Sequence, residues 1–301
     1  MRQPADDAAD PVISGRRVES STIAVGPPAL GLTMSAAATV RDGWLVRHLE
    51  VPGGLDGPEG ILQGGLSSAA LIGAAQAADP IGAPVTAVDA RLHAPTPTGR
   101  TIEIAVRSTN LTAVYDVRTS HASTTLVTGT VELAGPDSSS HVHDLAEIAA
   151  RALPTPQPAS AFRDCWMCGS TNAHPYAQRM FPGYVDDRTV LCGWVADEVL
   201  GDDQGVVDPV LVAAALDCPT GWACAPTIEA MNTQGPLLGG YRVRYLRDVP
   251  VMEPVRIVGR LDHADGRKLS TRGALIDDDG TVCAVAWALQ VAVDEIPVVV
   301  S

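Results

Sequence analysis

The segment from Gly205 to Ala223 constrains the fold more than any other part of the chain. Asp208 followed by Pro209 predicts a helix start, because an Asp carboxylate caps free amides and proline suits the first helical position. Every residue from Val210 to Leu216 is apolar, so no face is left for water. A helix apolar all round has to be enclosed by a sheet or by other helices. One carboxylate follows, Asp217, close to where Pro219 is expected to end or kink the helix. A negative charge is disfavoured at a helix C-terminus, so helix propensity does not select Asp there. Two readings stay open: a carboxylate that only hydrogen-bonds to the departing chain, and a general base or nucleophile of raised pKa in a partly dry site.

At 301 residues the chain suits one large or two ordinary domains, each able to bury its own core. Hydrophobic residues make up 46%, yet no apolar run reaches the roughly 18 residues that a membrane span requires. The opening Met-Arg-Gln-Pro-Ala-Asp-Asp is polar and lacks the apolar stretch of a signal peptide, which predicts a cytoplasmic protein. A net charge of −14 argues against non-specific nucleic-acid binding and against attachment to an anionic membrane. The exception is local: Arg242, Arg244, Arg247, Arg256, Arg260, Arg267, Lys268 and Arg272 leave the C-terminal part able to meet an anionic small molecule.

All six cysteines fall in the second half, and a cytoplasmic chain keeps them reduced. Cys165-Trp-Met-Cys168-Gly has the spacing of half a zinc site or of a redox pair. A structural zinc takes four ligands and no second such pair follows, so the expectation is a packed turn without a metal. His141-Val-His143 lies in a Ser-rich connection and reads as solvated.

Residues 1–30 are rich in Asp, Ser, Gly and Pro and read as a mobile tail. Strands are predicted at Thr33 to Val40 and Trp44 to Val51, turned at Asp42-Gly43. An apolar, small-residue helix is predicted from Ile61 to Ala78, stopped by Asp79-Pro80. Four strands follow: Val85 to His93, Thr101 to Arg107, Leu111 to Thr119 and Ser123 to Leu133. Residues 136–160 carry Ser and Pro runs and a short helical patch at Asp144 to Ala152, and read as a linker. The order then repeats. Strands at Gln178 to Tyr184 and Thr189 to Val195 precede the Asp208 helix, and Tyr241 to Leu246, Val255 to Leu261, Lys268 to Ile276 and Thr281 to Val293 follow it. Such a period marks a duplicated domain of α+β class, with units at 31–135 and 161–301, each an antiparallel sheet wrapped around a central helix.

This order resembles tandem hotdog domains of the 4-hydroxybenzoyl-CoA/phenylacetyl-CoA thioesterase-like superfamily. In single-domain hotdog acyl-CoA thioesterases a His-Gly-Gly turn opens the helix, and the catalytic acid stands nine positions after the His; here Asp208 takes the His place and Asp217 that of the acid. Cys165-Trp-Met-Cys168-Gly-Ser-Thr-Asn172-Ala-His-Pro175 resembles the family's Cys-x-x-Cys-Gly-x-x-Asn-Pro entry, and Gly266-Arg267-Lys268 with the segment to Val293 looks like its last two strands. In the first half the turn reads Gln63-Gly64-Gly65, and the acid position holds Ile72. The resemblance implies one composite site, with Gly64 and Gly65 from the first half facing Asp217 from the second, Gln63 orienting the carbonyl or water, and a relic where Asp208-Pro209 faces Ile72. It implies an acyl thioester hydrolase acting on an acyl-CoA or another acyl thioester. Coenzyme A enters as part of the substrate rather than as a cofactor, with Arg267 and Lys268 as candidate contacts for it. Association of such double hotdogs into a homo-oligomer stays open at this point. A non-catalytic acyl-ligand binding protein is the alternative. A hotdog dehydratase is disfavoured because none of the seven histidines stands at either helix turn, and no Gly-x-Ser-x-Gly elbow supports a serine hydrolase.

Overall fold

The computed structural model describes residues 21–134, 142–157 and 162–298. The expected histidine His141, most of the tail and part of the linker lie outside the described residues. In chain order the first part contains strands β1 (Thr22–Ala24), β2 (Thr33–Ser35), β3 (Thr39–Arg41) and β4 (Trp44–Val51), helix α1 (Gly64–Ala78), and strands β5 (Val85–Leu92), β6 (Arg100–Ser108), β7 (Val114–His121) and β8 (Thr124–Leu133). A short helix α2 (His143–Ala149) follows. Then come β9 (Gly183–Asp186), β10 (Thr189–Val195), helices α3 (Pro209–Trp222) and α4 (Ala225–Ala230), and strands β11 (Gln234–Tyr245), β12 (Pro254–Asp265), β13 (Lys268–Ile276) and β14 (Val282–Val293).

All these strands join one antiparallel sheet in the order β1-β2-β4-β6-β7-β8-β5-β11-β14-β13-β12-β10-β9, with β3 added alongside β4. The run β4-β6-β7-β8-β5 is matched in reverse by β11-β14-β13-β12-β10, so equivalent strands of the two halves sit at equal distances from the β5–β11 junction. Across that junction Ala90 pairs with Tyr241 and Val88 with Val243. Arg242–Asp89 at 2.5 Å and Arg244–Glu132 at 2.6 Å bridge the halves on its solvent side. Exposed pairs of this kind contribute about 1 kcal/mol or less, so the ladder and the buried side chains carry the joint.

Helix α1 packs on β5, β6, β7 and β8, helix α3 on β10 to β14, and the two helices pack on each other. From Gly65 to Ala75 every residue of α1 is buried, and so is every residue of α3 from Val210 to Thr220, as the absence of a polar face predicts. Small residues permit the close approach. A Cβ on Gly259 of β12 would fall 2.1 Å from the carbonyl oxygen of Pro219, so glycine there lets α3 lie directly on the sheet.

Several expectations are corrected. Helix α3 does not end at Pro219 but runs to Trp222, with Asp208 as its N-cap accepting the Val210 amide at 2.8 Å. Its last turn is held by burial and by bonds such as Ala223 N to Pro219 O, so tertiary packing outweighs the donor that proline lacks. Residues 21–30, expected as tail, add β1 to β2 and bury Val25 and Leu30 in the main core. The expected strand at 178–184 begins only at Gly183, because the amides of Gln178 and Met180 are spent on the carbonyls of Trp166 and Met167. Likewise α1 starts at Gly64 rather than Ile61, since Ile61 and Leu62 form isolated bridges with Pro97 and Asp56.

Candidate active site between the two buried helices

Gln63 caps α1, its Oε1 accepting the amide of Leu66 at 2.8 Å. Its Nε2 donates to Asp217 Oδ2 at 2.7 Å and to the carbonyl of Ala214 at 3.2 Å, which ties the start of α1 to the middle of α3. The amide of Gly65 donates to the same Asp217 Oδ2 at 2.8 Å. Gln63, Gly64, Gly65 and Asp217 are therefore brought together from the two halves of the chain. Both glycines are demanded by contact. A Cβ on Gly64 would lie 2.9 Å from Leu238 Cβ and 3.0 Å from Asp217 Oδ2, and one on Gly65 would lie 2.8 Å from Ala213 O and Ala214 Cα. The amide of Gly64 has no acceptor among the described residues, as befits an unsatisfied donor at a helix N-terminus.

Burial pushes the Asp217 carboxyl up to about 7, against the pull of the Gly65 amide and of Gln290. Its second oxygen, Oδ1, faces Gln290 Nε2 at 3.4 Å, and the same Nε2 reaches Thr220 Oγ1 at 3.1 Å. Gln290 and Thr220 are buried polar residues that the sequence reading passed over. A glutamine in the apolar run Val-Cys-Ala-Val-Ala-Trp-Ala-Leu-Gln-Val of β14, and a threonine three residues after the acid on α3, were the available signals.

Asp217 opens on a cavity of about 360 Å³. Apolar residues dominate its wall, among them Ile61, Leu62, Phe162, Trp222 and Leu238, and among the described residues it contains no Lys or Arg. Gln63, Gly64, Gln290 and His93 also line it, as does Thr96, whose buried hydroxyl has no hydrogen-bond partner among the described residues. Three thiols share the wall: Cys165, Cys168 and Cys218. Arg267 and Lys268 are not in the lining. They stand at the β12–β13 turn, Lys268 paired in register with the lining residue Val291, and Arg267 is bound to Asp294 at 2.6 Å.

The counterpart location has been filled in. Asp208 is occupied as the cap of α3, and burial pushes its carboxyl up to about 6. The segment around Val25 lies between α1 and α3, where a Cβ on Gly73 would meet Val25 at 2.9 Å and one on Gly26 would meet Val210 at 3.2 Å. Ile72 is fully buried in the core.

No protein-family model and no curated protein matches the sequence. Solved structures do match the fold. The tesB protein of Mycobacterium avium subs paratuberculosis superposes with a TM-score of 0.58 at 14% identity, covering 85% of this chain and 96% of that one. The acyl-CoA thioesterase II TesB2 of Mycobacterium marinum gives 0.56 at 14% identity, over 89% and 96%. A conserved protein with a hot dog fold from Alicyclobacillus acidocaldarius gives 0.58 at 15% identity, over 87% and 97%. The chain thus has a hot dog fold, and it resembles TesB-type and other thioesterase structures along most of its length. Among the described residues no helix is long and apolar enough to cross a membrane.

Proposed function

We propose that the chain consists of two tandem hotdog units and hydrolyses an acyl thioester, with an acyl-CoA as the substrate class, at one composite site between them. The observation that carries this reading is the carboxylate of Asp217, buried, held by Gln63 and by the Gly65 amide of the other half, and opening on an apolar cavity. With Oδ2 anchored by two donors, Oδ1 is the oxygen left to take a proton, and Gln290 stands beside it to orient a water. Asp217 removes a proton from that water as its oxygen bonds to the thioester carbon. The carbonyl electron pair moves onto oxygen, where the free Gly64 amide at the positive end of α1 stabilises it. Collapse of this intermediate breaks the carbon–sulfur bond, and the thiolate leaves with the proton that Asp217 had taken. The acyl chain lies along the apolar wall, and Arg267 and Lys268 at the β12–β13 turn are the contacts proposed for phosphates of a carrier outside the cavity.

Asp217→Asn tests the reading. The amide oxygen can still accept from Gln63 and Gly65, so the fold should persist, while the proton acceptor is lost. Free-thiol release across a panel of acyl-CoAs should fall by a factor of about 100 or more, with acyl-CoA affinity little changed. Wild-type protein that binds acyl-CoA without releasing thiol would identify a binding protein instead, and an equally active Asp217→Asn would remove Asp217 from the chemistry.

A further inference from the structure

The turn Cys165–Gly169 does not stand alone: α3 brings Cys218 to it, and the three sulfur atoms all lie within 4.8 Å of one another in a buried corner of the cavity. Cys165 Sγ and Cys218 Sγ are 3.7 Å apart. A zinc–sulfur bond of about 2.3 Å places the sulfurs of a tetrahedral site about 3.8 Å apart, so this edge is already at the required length.

An N–H donor also faces the cluster, with Gln63 Nε2 standing 3.7 Å from Cys218 Sγ. Donors of this kind support thiolates and are the hydrogen bonds that orient ligands around a metal. The turn itself is enforced by Gly169, where a Cβ would lie 2.3 Å from the carbonyl oxygen of Arg163 and 2.5 Å from Cys165 N.

We propose that Cys165, Cys168 and Cys218 bind one zinc ion through their thiolates, with the fourth coordination position open to the cavity. Thiolates select zinc, copper(I) or iron–sulfur clusters; a cluster takes four cysteines, and three soft ligands with one open corner is a zinc arrangement. Water or a thiol ligand entering the cavity completes the tetrahedron. The site stands whether or not the chain hydrolyses thioesters.

The test is cobalt substitution in the full chain, prepared with a thiol reductant and stripped of metal. One cobalt per chain should bind with a sulfur-to-metal charge-transfer absorption and the visible bands of tetrahedral cobalt, and one equivalent of zinc should displace it. Cys168→Ser and Cys218→Ser should weaken binding by more than the roughly 10–100-fold that loss of a supporting hydrogen bond costs. Cys224→Ser should leave binding unchanged. A folded, reduced wild type without the charge-transfer band overturns the proposal even if a variant fails to fold. So does a band that survives both cluster substitutions, or a mass spectrum showing a disulfide within the cluster when zinc is present.

Discussion

Gly65→Ala tests the fold and the site together, because it adds one methyl where two helices touch. The new Cβ would lie 2.8 Å from the carbonyl oxygen of Ala213, 2.8 Å from Ala214 Cα and 3.0 Å from Asp217 Cβ. Ordinary contacts for such atoms are about 3.5–4.0 Å, so α1 and α3 must part by several tenths of an ångström at that point. The atoms in the way are mostly backbone and cannot turn aside. Forcing a methyl group into a packed core costs about 1–3 kcal/mol, while alanine gains up to about 1 kcal/mol over glycine within a helix. The net expectation is a loss of about 1–2 kcal/mol in urea unfolding at constant m-value. Turnover should fall further than stability, because the same parting stretches the 2.8 Å bond from Gly65 N to Asp217 Oδ2. A Gly65→Ala protein as stable as wild type and fully active would refute both the helix contact and the role of that amide.

Two further substitutions have opposite signs from the usual. Burial raises the Asp208 carboxyl to about 6 from an unfolded value near 4, so the folded state holds the extra proton and stability falls as pH rises across that window. Asp208→Asn keeps an oxygen to cap Val210 and removes the ionisation, so its stability should be flatter from about pH 4 to 6 and no lower than wild type at pH 8; a steep slope retained by the variant would assign it to another group. Thr96→Val removes the unpartnered buried hydroxyl, and since such a group costs about 1–3 kcal/mol, thermal unfolding should shift upward. If that hydroxyl serves the ligand, KM for acyl-CoA should rise while kcat changes little, and an unchanged KM would restrict Thr96 to the wall.

Elements whose residues obey one local rule were legible from the chain alone. The apolar runs of α1 and α3 have no solvent face, the Asp208-Pro209 start is a local capping pattern, and the strands around Trp44–Val51 and Lys268–Ile276 follow their apolar content. What escaped depends on partners distant in sequence. Pro219 reads as a helix end locally, but the turn beyond it is held against the sheet. The Val25 segment reads as tail because Gly26, Pro27, Pro28 and Gly31 break any helical or strand period, and its place in the core exists only once α1 and α3 are in position. Gln63 and Asp217 were singled out, whereas Gln290 and Thr220 look like strand and helix residues until the sheet closes over α3. Cys165 and Cys168 were visible as a pair, and Cys218 joins them across a separation that spacing cannot reveal.

The asymmetry of the two ends gives the proposed duplication its functional sense. A pair of identical units would present the same helix start and the same acid position twice. Here the end with Gln63, Gly64 and Gly65 keeps glycines that let a carboxylate approach the helix start, and Asp217 fills that space. The other end has a carboxylate acting as a cap, with Pro209, which lacks an amide donor, after it, and a buried Ile72 nine positions after Gln63. At that end the chain before β2 folds back, with Val25 fully buried against Gly73 and Gly26 close to Val210. The buried N-terminal segment thus lies at one end of the helix pair and the cavity lined by Asp217 at the other.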